Sequence, residues 1–590
     1  MKNTSLITPF RFYLFIILTT LGFVAVSANL VYLQAYKSEH YLSIIEKSRN
    51  RTETIPARRG DIYDSRNNLL ATTTPYVEIG VDPTQVSEKD MLFAGEFADI
   101  VGLSKEEILE SYKKETMMRE DGSFVEKQWR RVCDIDMQAY EKLKELKLDC
   151  LCPAIRYKRI YPSGALTSHV IGYVNKSFNA VCGIELMLDF YLRGQDGWRE
   201  IVLNGKRREI MQFRQREQDS VDGMNVVSSI DIVMQEAANQ ELTKIVSQHN
   251  PKGASIIISD TSGFILAMAN YPNFDPNASK TDLDALRNRA ITDRIEPGST
   301  FKIIPVSAAL NEQYISPNDV FDCKSPTVSY KGRILKLPSD THLYENLSVK
   351  EIIQKSSNRG SAHIAMILGE DKLYSYAKDF GFGQSTHLGL NGETSGTLHS
   401  VNKWDGLTIT RLPMGHAVDA TPLQIHCAMS VIACGGVYMK PQLIKEIKPA
   451  NGDETMVFNA KPLRRVVSQK TASLMSDMLS EVTQSGGTAT RAAVDGFKVA
   501  GKTGTTQKII NGAYSSKHHV ASFSGFFPAD RPRIIITVII DDPNSSTLSA
   551  GYGGVSAAPV FSSLARTAAS YYGIQRDGTD GKAMVWTSSR

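Results

Sequence analysis

The chain has 590 residues, 22% of them charged and 42% hydrophobic, with a formal charge of +4 and seven cysteines. That length allows about three or four domains, and the composition is globular rather than disordered. So small a net charge leaves no electrostatic footprint for nucleic acid, and there is no P-loop, dinucleotide glycine fingerprint or H-E-x-x-H.

From Phe12 to Leu33, FYLFIILTTLGFVAVSANLVYL carries no charged side chain and has the length a bilayer crossing needs. Lys2 and Arg11 precede it with no acidic residue, so residues 1–11 are expected to stay cytoplasmic. VSA at 26–28 has the spacing a signal peptidase accepts. The apolar stretch runs on to Leu33, however, which favours an uncleaved transmembrane anchor over residues 12–34. On either reading, everything beyond about Lys37 is exported.

Residues 38–226 mix short strands, charged helices and turns without tandem repeats, and read as one N-terminal module. Its basic run KRREIMQFRQR (206–216) reads as a solvated strand or hairpin face. An exported chain with an odd cysteine count cannot pair them all. One bridge is expected among Cys133, Cys150, Cys152 and Cys182, with Cys427 and Cys434 as core residues of an apolar helix. No histidine–cysteine cluster has metal-ligand spacing, so neither metal nor other cofactor is expected.

At residue 227 the texture changes. SIDIVMQEAANQELTKIVSQH is an amphipathic helix with Asp231 near its start. GASIIISD and FILAMAN, separated by Thr-Ser-Gly, read as a hairpin. Three more strand-like runs come only near the end: GFKVAGKTGT, HHVASFSGFFP and PRIIITVIIDDP. Strands at both ends around a mainly helical middle predict an α+β domain over 227–572, one antiparallel sheet with helices packed on it. APVFSSLARTAASYYG is its last helix, and 573–590 form a polar tail.

Three short stretches in this domain carry chemistry. In EPGSTFKII (296–304), Ser299 and Lys302 lie three apart, on one face of a helix. A serine hydroxyl is a poor nucleophile until a neighbour takes its proton, and Lys302 can do so if burial disfavours its charged form. KSSNR at 355–359 places Ser356 and Asn358 in a helical region, able to bond the lysine amine and a substrate amide. GKTGTT at 501–506 places Lys502 and Thr503 at the end of a strand, where they can hold a substrate carboxylate. Gly504 would let an extended peptide approach as an added strand. The N–H groups of Ser299 and Thr505 would converge on the acyl oxygen, about 3 kcal/mol per donor. Together these describe acyl transfer on a peptide with a free carboxylate end.

S-x-x-K, S-x-N and K-T-G in this order are the mark of penicillin-binding proteins and serine β-lactamases. The chain resembles the class B penicillin-binding proteins, monofunctional peptidoglycan D,D-transpeptidases. RRGDIYDSRNNLLA (58–71), RIYPSGALTSHVIGYV (159–174), GIE (183–185), TPLQ (421–424), GGTA (486–489) and VAGKTGTTQ carry the likeness over nearly the whole length. The resemblance implies a penicillin-binding/β-lactamase-like domain on an elongated N-terminal pedestal, anchored in the plasma membrane with the catalytic domain outside. It implies Ser299 as nucleophile, Lys302 as base, Ser356, Asn358 and Lys502 as further catalytic groups, and Thr503, Gly504 and Thr505 as substrate-binding. The implied donor is a stem peptide ending in D-Ala-D-Ala, with β-lactams as covalent inhibitors. A polytopic membrane glycosyltransferase and other division proteins are the implied partners, and a septal role is favoured over one in elongation.

The family favours arginine and glycine where Ser65 and Asn67 stand, glycine at His387, and glutamine and glycine at His416 and Ala417. His416 reads as packed rather than catalytic. A β-lactamase or β-lactam sensor is the nearest rival, but it needs a group that activates water, which in class A enzymes is the glutamate of an E-x-x-L-N segment, and the region after the second motif offers Glu393 in NGETSG without that segment. An inactive scaffold is the other alternative, and the intact motifs speak against it.

Overall fold

A computed structural model describes residues 9–41, 43, 50–118, 122–203, 210, 216–278, 282–449, 454–544 and 548–576. The ends of the chain, 1–8 and 577–590, and all of the basic run at 206–216 except Ile210 and Arg216 lie outside the described residues. The chain forms two compact units, residues 1–58 with 194–222 and residues 59–193 with 223–590.

In the first unit, Pro9–Tyr36 is a 28-residue helix long and apolar enough to cross a membrane. It is followed by a three-stranded sheet of Asn50–Ile55, Gly197–Val202 and Glu217–Gln218. Its first and second strands run antiparallel, with Thr52 opposite Glu200.

The second unit is built on five antiparallel strands: β1 (Gly253–Asp260), β2 (Ile265–Tyr271), β3 (Ala500–Ile510), β4 (Ala513–Phe527) and β5 (Ile534–Asp541). Their order is β2-β1-β5-β4-β3, so both ends of the domain sequence meet in one sheet, as expected. β1 and β5 are central, and all but their last residues are buried. Continuous isoleucine-rich runs suit strands covered on both faces, where alternation would put polar groups in the core. Helices α1 (Ile232–His249), α2 (Pro422–Ala433) and α3 (Ala558–Tyr571) supply the cover. Asp231 caps α1 by accepting from Val233 N at 3.1 Å. The Tyr571 and Tyr572 hydroxyls donate to the same carboxylate at 3.1 Å, tying the start of α1 to the end of α3.

Upstream, the long strand Leu69–Val81 is flanked by Arg130–Ile135 and Leu151–Ile160. This arrangement overturns the expected disulfide, because all seven cysteines are free. Cys133 lies opposite Ile79 on one side of the long strand, and Cys152 opposite Gly80 on the other. Two strand spacings, about 9.6 Å, exceed the roughly 7 Å that a disulfide spans between Cα atoms. Cys150 packs in a small core with Ile79, Phe97 and Leu143. Cys427 is buried in α2 and Cys434 caps its end.

The separate upstream stretches RRGD, RIYP and GIE meet in one buried ion cluster. The Glu185 carboxylate accepts from Arg59 Nε at 2.6 Å and from Arg159 Nε at 2.7 Å, with both guanidinium side chains 1% exposed. Arg59 also reaches Asp189 at 2.6 Å, and Arg159 donates to the Gly60 carbonyl at 2.7 Å. Removing Glu185 would leave the buried Arg159 charge uncompensated. Asn67 adopts φ +64°, so asparagine does tolerate the left-handed turn here.

Candidate active site

The chain enters the site through Gly298–Lys302, a single 3-10 turn rather than the start of an α-helix. In a 3-10 turn side chains at i and i+3 eclipse, which sets Ser299 and Lys302 on one face more strictly than an α-helix would. Gly298 has φ +57°, and a Cβ there would lie 2.4 Å from Thr506 Oγ1. The turn is thus pressed against β3, with Thr506 Oγ1 donating to the Glu296 carbonyl at 3.1 Å. Ser299 is half-buried, while Thr300, Phe301 and Lys302 beside it are buried.

Lys302 has no exposed surface. Its Nζ donates to the Ser356 carbonyl at 2.5 Å, the Ser356 hydroxyl at 3.1 Å and Asn358 Oδ1 at 2.7 Å. Burial, and then the charge of Lys502, push its pKa well below that of a free lysine, while Asp340 acts in the opposite sense. Lys502 is equally buried, and burial lowers it to about 7. Its Nζ donates to Ser356 Oγ at 2.9 Å, so one hydroxyl stands between two amines.

Ser356 is not within a helix, contrary to the expectation. The helix Val349–Lys355 ends on it in the left-handed region (φ +59°), and a new helix runs from Asn358 to Leu368. The break is what frees the Ser356 carbonyl for Lys302, since the last carbonyls of a helix have no partner within it. Asp340 holds the break from outside. It accepts from Ser357 Oγ at 2.7 Å and from the Asn358 backbone N–H. Asn358 Nδ2 donates to the Ser339 carbonyl at 2.7 Å, which fixes the amide with its oxygen toward Lys302. Asp340 lies in a loop with no motif around it, so local sequence offered no signal for it.

Lys502, Thr503, Gly504 and Thr505 lie in the first half of β3, not at its end, because the strand continues into a hairpin with β4. β3 is the outermost strand of its sheet, as strand addition by a peptide requires. Gly504 also has a packing reason. A Cβ there would sit 2.3 Å from Ser522 Oγ and 3.0 Å from the Pro297 carbonyl, so glycine is needed to bring the Ser299 turn against the strand. Thr503 Oγ1 is 2.9 Å from Thr488 Oγ1, which gives the GGTA stretch its place behind the site. The Gly553 N–H donates to Thr505 Oγ1 at 3.2 Å.

Lys302, Ser356, Asn358 and Lys502 are therefore joined by direct hydrogen bonds. Ser299 shares the turn of Lys302, and Thr503–Thr505 share the strand of Lys502. His416 Nδ1 lies 2.9 Å from the Tyr514 hydroxyl and 3.4 Å from Glu296 Oε2. Burial, with smaller contributions from Arg411 and Lys302, lowers its pKa to about 4. Ala417 and His387 have φ +61° and +57°, left-handed positions where glycine costs least. Glu393 accepts from Thr386 N at 2.6 Å, Thr386 Oγ1 at 2.5 Å and Ser385 Oγ at 2.8 Å, and so staples its own loop.

Residues 253–566 match the penicillin-binding protein transpeptidase domain, and residues 54–228 match the penicillin-binding protein dimerisation domain. The probable peptidoglycan D,D-transpeptidase PenA of Neisseria meningitidis is 32% identical over 87% of this chain and 84% of its own length. The peptidoglycan D,D-transpeptidase FtsI of Escherichia coli K12 is 31% identical over the same shares. Among solved structures, a peptidoglycan synthetase from Bifidobacterium adolescentis is similar with a TM-score of 0.71 at 25% identity, covering 90% of this chain and 98% of that one. Penicillin-binding protein 3 of Mycobacterium tuberculosis complexed with aztreonam is similar with a TM-score of 0.67 at 25% identity, covering 89% and 98%. The fold is that of a penicillin-binding enzyme, with an α+β transpeptidase domain after an N-terminal domain. The chain belongs to the class B penicillin-binding proteins of the FtsI/PenA family. It is a serine-type D,D-transpeptidase acting on peptidoglycan stem peptides.

Proposed function

We propose that Ser299 is the nucleophile that forms the acyl-enzyme, with Lys302 as its base. The observation that carries this is the complete burial of Lys302 beside the charge of Lys502, which favours the neutral amine a base must have, while the Ser356 and Asn358 oxygens fix where that amine sits. Ser299 Oγ adds to the carbonyl of the penultimate D-Ala, and its proton passes to Lys302. The bond to the last D-Ala breaks, and the leaving nitrogen takes its proton through Ser356, which bridges Lys302 and Lys502. An amine of a second stem then attacks the ester, forming the cross-link amide and returning the proton to Ser299. Asn358 orients Lys302 and the donor amide. Lys502 in its charged form and Thr503 hold the terminal carboxylate. Gly504 lets the strand close on the turn, and the N–H groups of Thr505 and Ser299 receive the oxyanion. β-Lactams acylate Ser299 as mimics of the donor.

The longer assignment follows the same reading. Residues 12–34 anchor the chain in the plasma membrane, with 1–11 cytoplasmic. Residues 38–226 are a pedestal, and 227–572 are the transpeptidase domain, working outside the membrane in septal wall synthesis beside a polytopic glycosyltransferase and other division proteins. The kinship with FtsI and PenA and the apolar helix Pro9–Tyr36 support it. Intact-protein mass after incubation with a labelled penicillin tests the chemistry: a slowly released adduct on the wild type, absent in Ser299→Ala, is expected, and rapid turnover would mean a hydrolase. Depletion in the native cell tests the role. Filaments without septa are expected, and rounded cells would point to elongation.

A further inference from the structure

A cavity of 1230 Å³ opens in the second unit, away from the motifs of the reaction. Its walls are the strands Leu69–Val81 and Leu151–Ile160, the loop at 173–178, and the chain that leaves β2 at 274–278. It thus lies where the upstream module meets the transpeptidase domain, a common place for ligand sites. Four aromatic side chains in it are only half-buried: Tyr76, Tyr157, Tyr173 and Phe178. Phe274 backs Tyr173 edge-on, with ring centroids 5.8 Å apart.

One observation says that the cavity is built to hold something. Phe178 has φ +64°, a conformation that bulky residues adopt only under strain. Its loop enforces this: Asn175 Oδ1 accepts from Ser177 N at 2.9 Å and Asn179 N at 3.0 Å, and Phe178 N donates to the Asn175 carbonyl at 2.9 Å. Glycine or asparagine would sit there without strain, and an aromatic ring is kept instead. Strain of this kind gathers at ligand-holding positions.

We propose that this cavity binds the glycan of peptidoglycan, a polymer of β-linked N-acetylated amino sugars. The substrate on which this enzyme acts hangs from such a glycan, and the reaction site handles only its peptide. Flat amphipathic rings suit the alternating C–H faces and hydroxyl edges of pyranoses better than they suit a purely apolar partner segment. The Asp134 carboxylate and the Asn175 side-chain N–H groups in the same walls offer partners for hydroxyl and acetamido groups. Holding the glycan here would keep its stem peptides close to the enzyme through successive reactions.

The test uses the full chain in detergent and peptide-free glycan strands, prepared by stripping stem peptides from uncross-linked peptidoglycan. Binding is measured by calorimetry for wild type, Phe178→Gly and Tyr76→Ala, with penicillin acylation of Ser299 followed in parallel. Wild type is expected to bind, and each variant to lose about tenfold in affinity, 1.4 kcal/mol, with acylation unchanged. Phe178→Gly is also expected to keep or raise Tm, because glycine relieves the strain. No glycan binding by the wild type would overturn the proposal. So would variants that bind as the wild type does, including a Phe178→Gly that merely unfolds sooner, since the ring would then be packing alone.

Discussion

Lys302 Nζ meets Ser356 twice, at the backbone carbonyl (2.5 Å) and at the side-chain hydroxyl (3.1 Å). The residues are 54 apart in sequence, and the contact exists because a helix stops on Ser356 in the left-handed region. The carbonyl positions the amine, and the hydroxyl links it to Lys502.

Ser356→Gly separates the two. Glycine keeps the left-handed turn and the carbonyl but removes the hydroxyl. Penicillin acylation, read by stopped-flow, is expected to fall by about 10²–10⁴, with thermal stability equal to or above wild type. An acylation rate within a few-fold of wild type would remove Ser356 from the proton path.

The pH profile of acylation should be bell-shaped. Lys302 is lowered well below the free value and must be neutral to act, so the rate rises as pH climbs through its pKa. Lys502 is lowered to about 7 and must be charged to hold the carboxylate, so the rate falls as it loses its proton above that. A bound carboxylate moves this limb upward by favouring the charged form. In Lys502→Arg the alkaline limb should disappear below pH 10, because arginine stays charged. Stability has the opposite trend on the alkaline side. Between about 7 and 10.5 the unfolded chain binds the Lys502 proton and the folded one does not, so this group makes stability rise with pH across that window.

Gly504→Ala places a Cβ 3.0 Å from the Pro297 carbonyl, a backbone atom that cannot swing aside. The Ser299 turn must lift from β3. We expect about 1–3 kcal/mol of lost stability in urea and a larger proportional loss of acylation, because the proposed oxyanion donors, the N–H groups of Ser299 and Thr505, sit on the two parts pushed apart. A stable variant with normal acylation would contradict the close approach.

Glu185→Gln leaves Arg159 buried without its counter-charge and Arg59 with Asp189 alone. A loss of about 3–5 kcal/mol in unfolding free energy is expected, with the acylation rate of the remaining folded protein near normal. Arg59→Lys should also destabilise, since an ammonium cannot reach Glu185 and Asp189 together as the guanidinium fork does.

The strands of the central sheet were legible because isoleucine-rich runs bounded by turns have few other uses, and the Asp231 cap was legible because its chemistry is local. The site residues were legible as types and spacings. Their surroundings were not. K-T-G reads as a strand end when only the apolar run before it is weighed, since the polar hairpin after it carries no strong periodicity. Ser356 reads as helical because helices lie on both sides, and one left-handed residue leaves no trace in a hydrophobic pattern. The disulfide expectation failed on strand order, which places Cys133 and Cys152 on opposite sides of a third strand.

Spacing alone put Ser299 and Lys302 on one face, because three residues make one 3-10 turn whatever surrounds it. Composition alone marked β1 and β5 as strands, because short isoleucine-rich runs bounded by turns fit a buried strand. What lowers the Lys302 pKa came from folding: burial and the amine of Lys502 nearby, with the amine itself positioned by Ser356 and Asn358 oxygens brought from more than 50 residues away. So did the union of Arg59, Arg159 and Glu185, whose members are up to 126 residues apart. Desolvation and long-range pairing are properties of the packed chain, and no local stretch of sequence contains them.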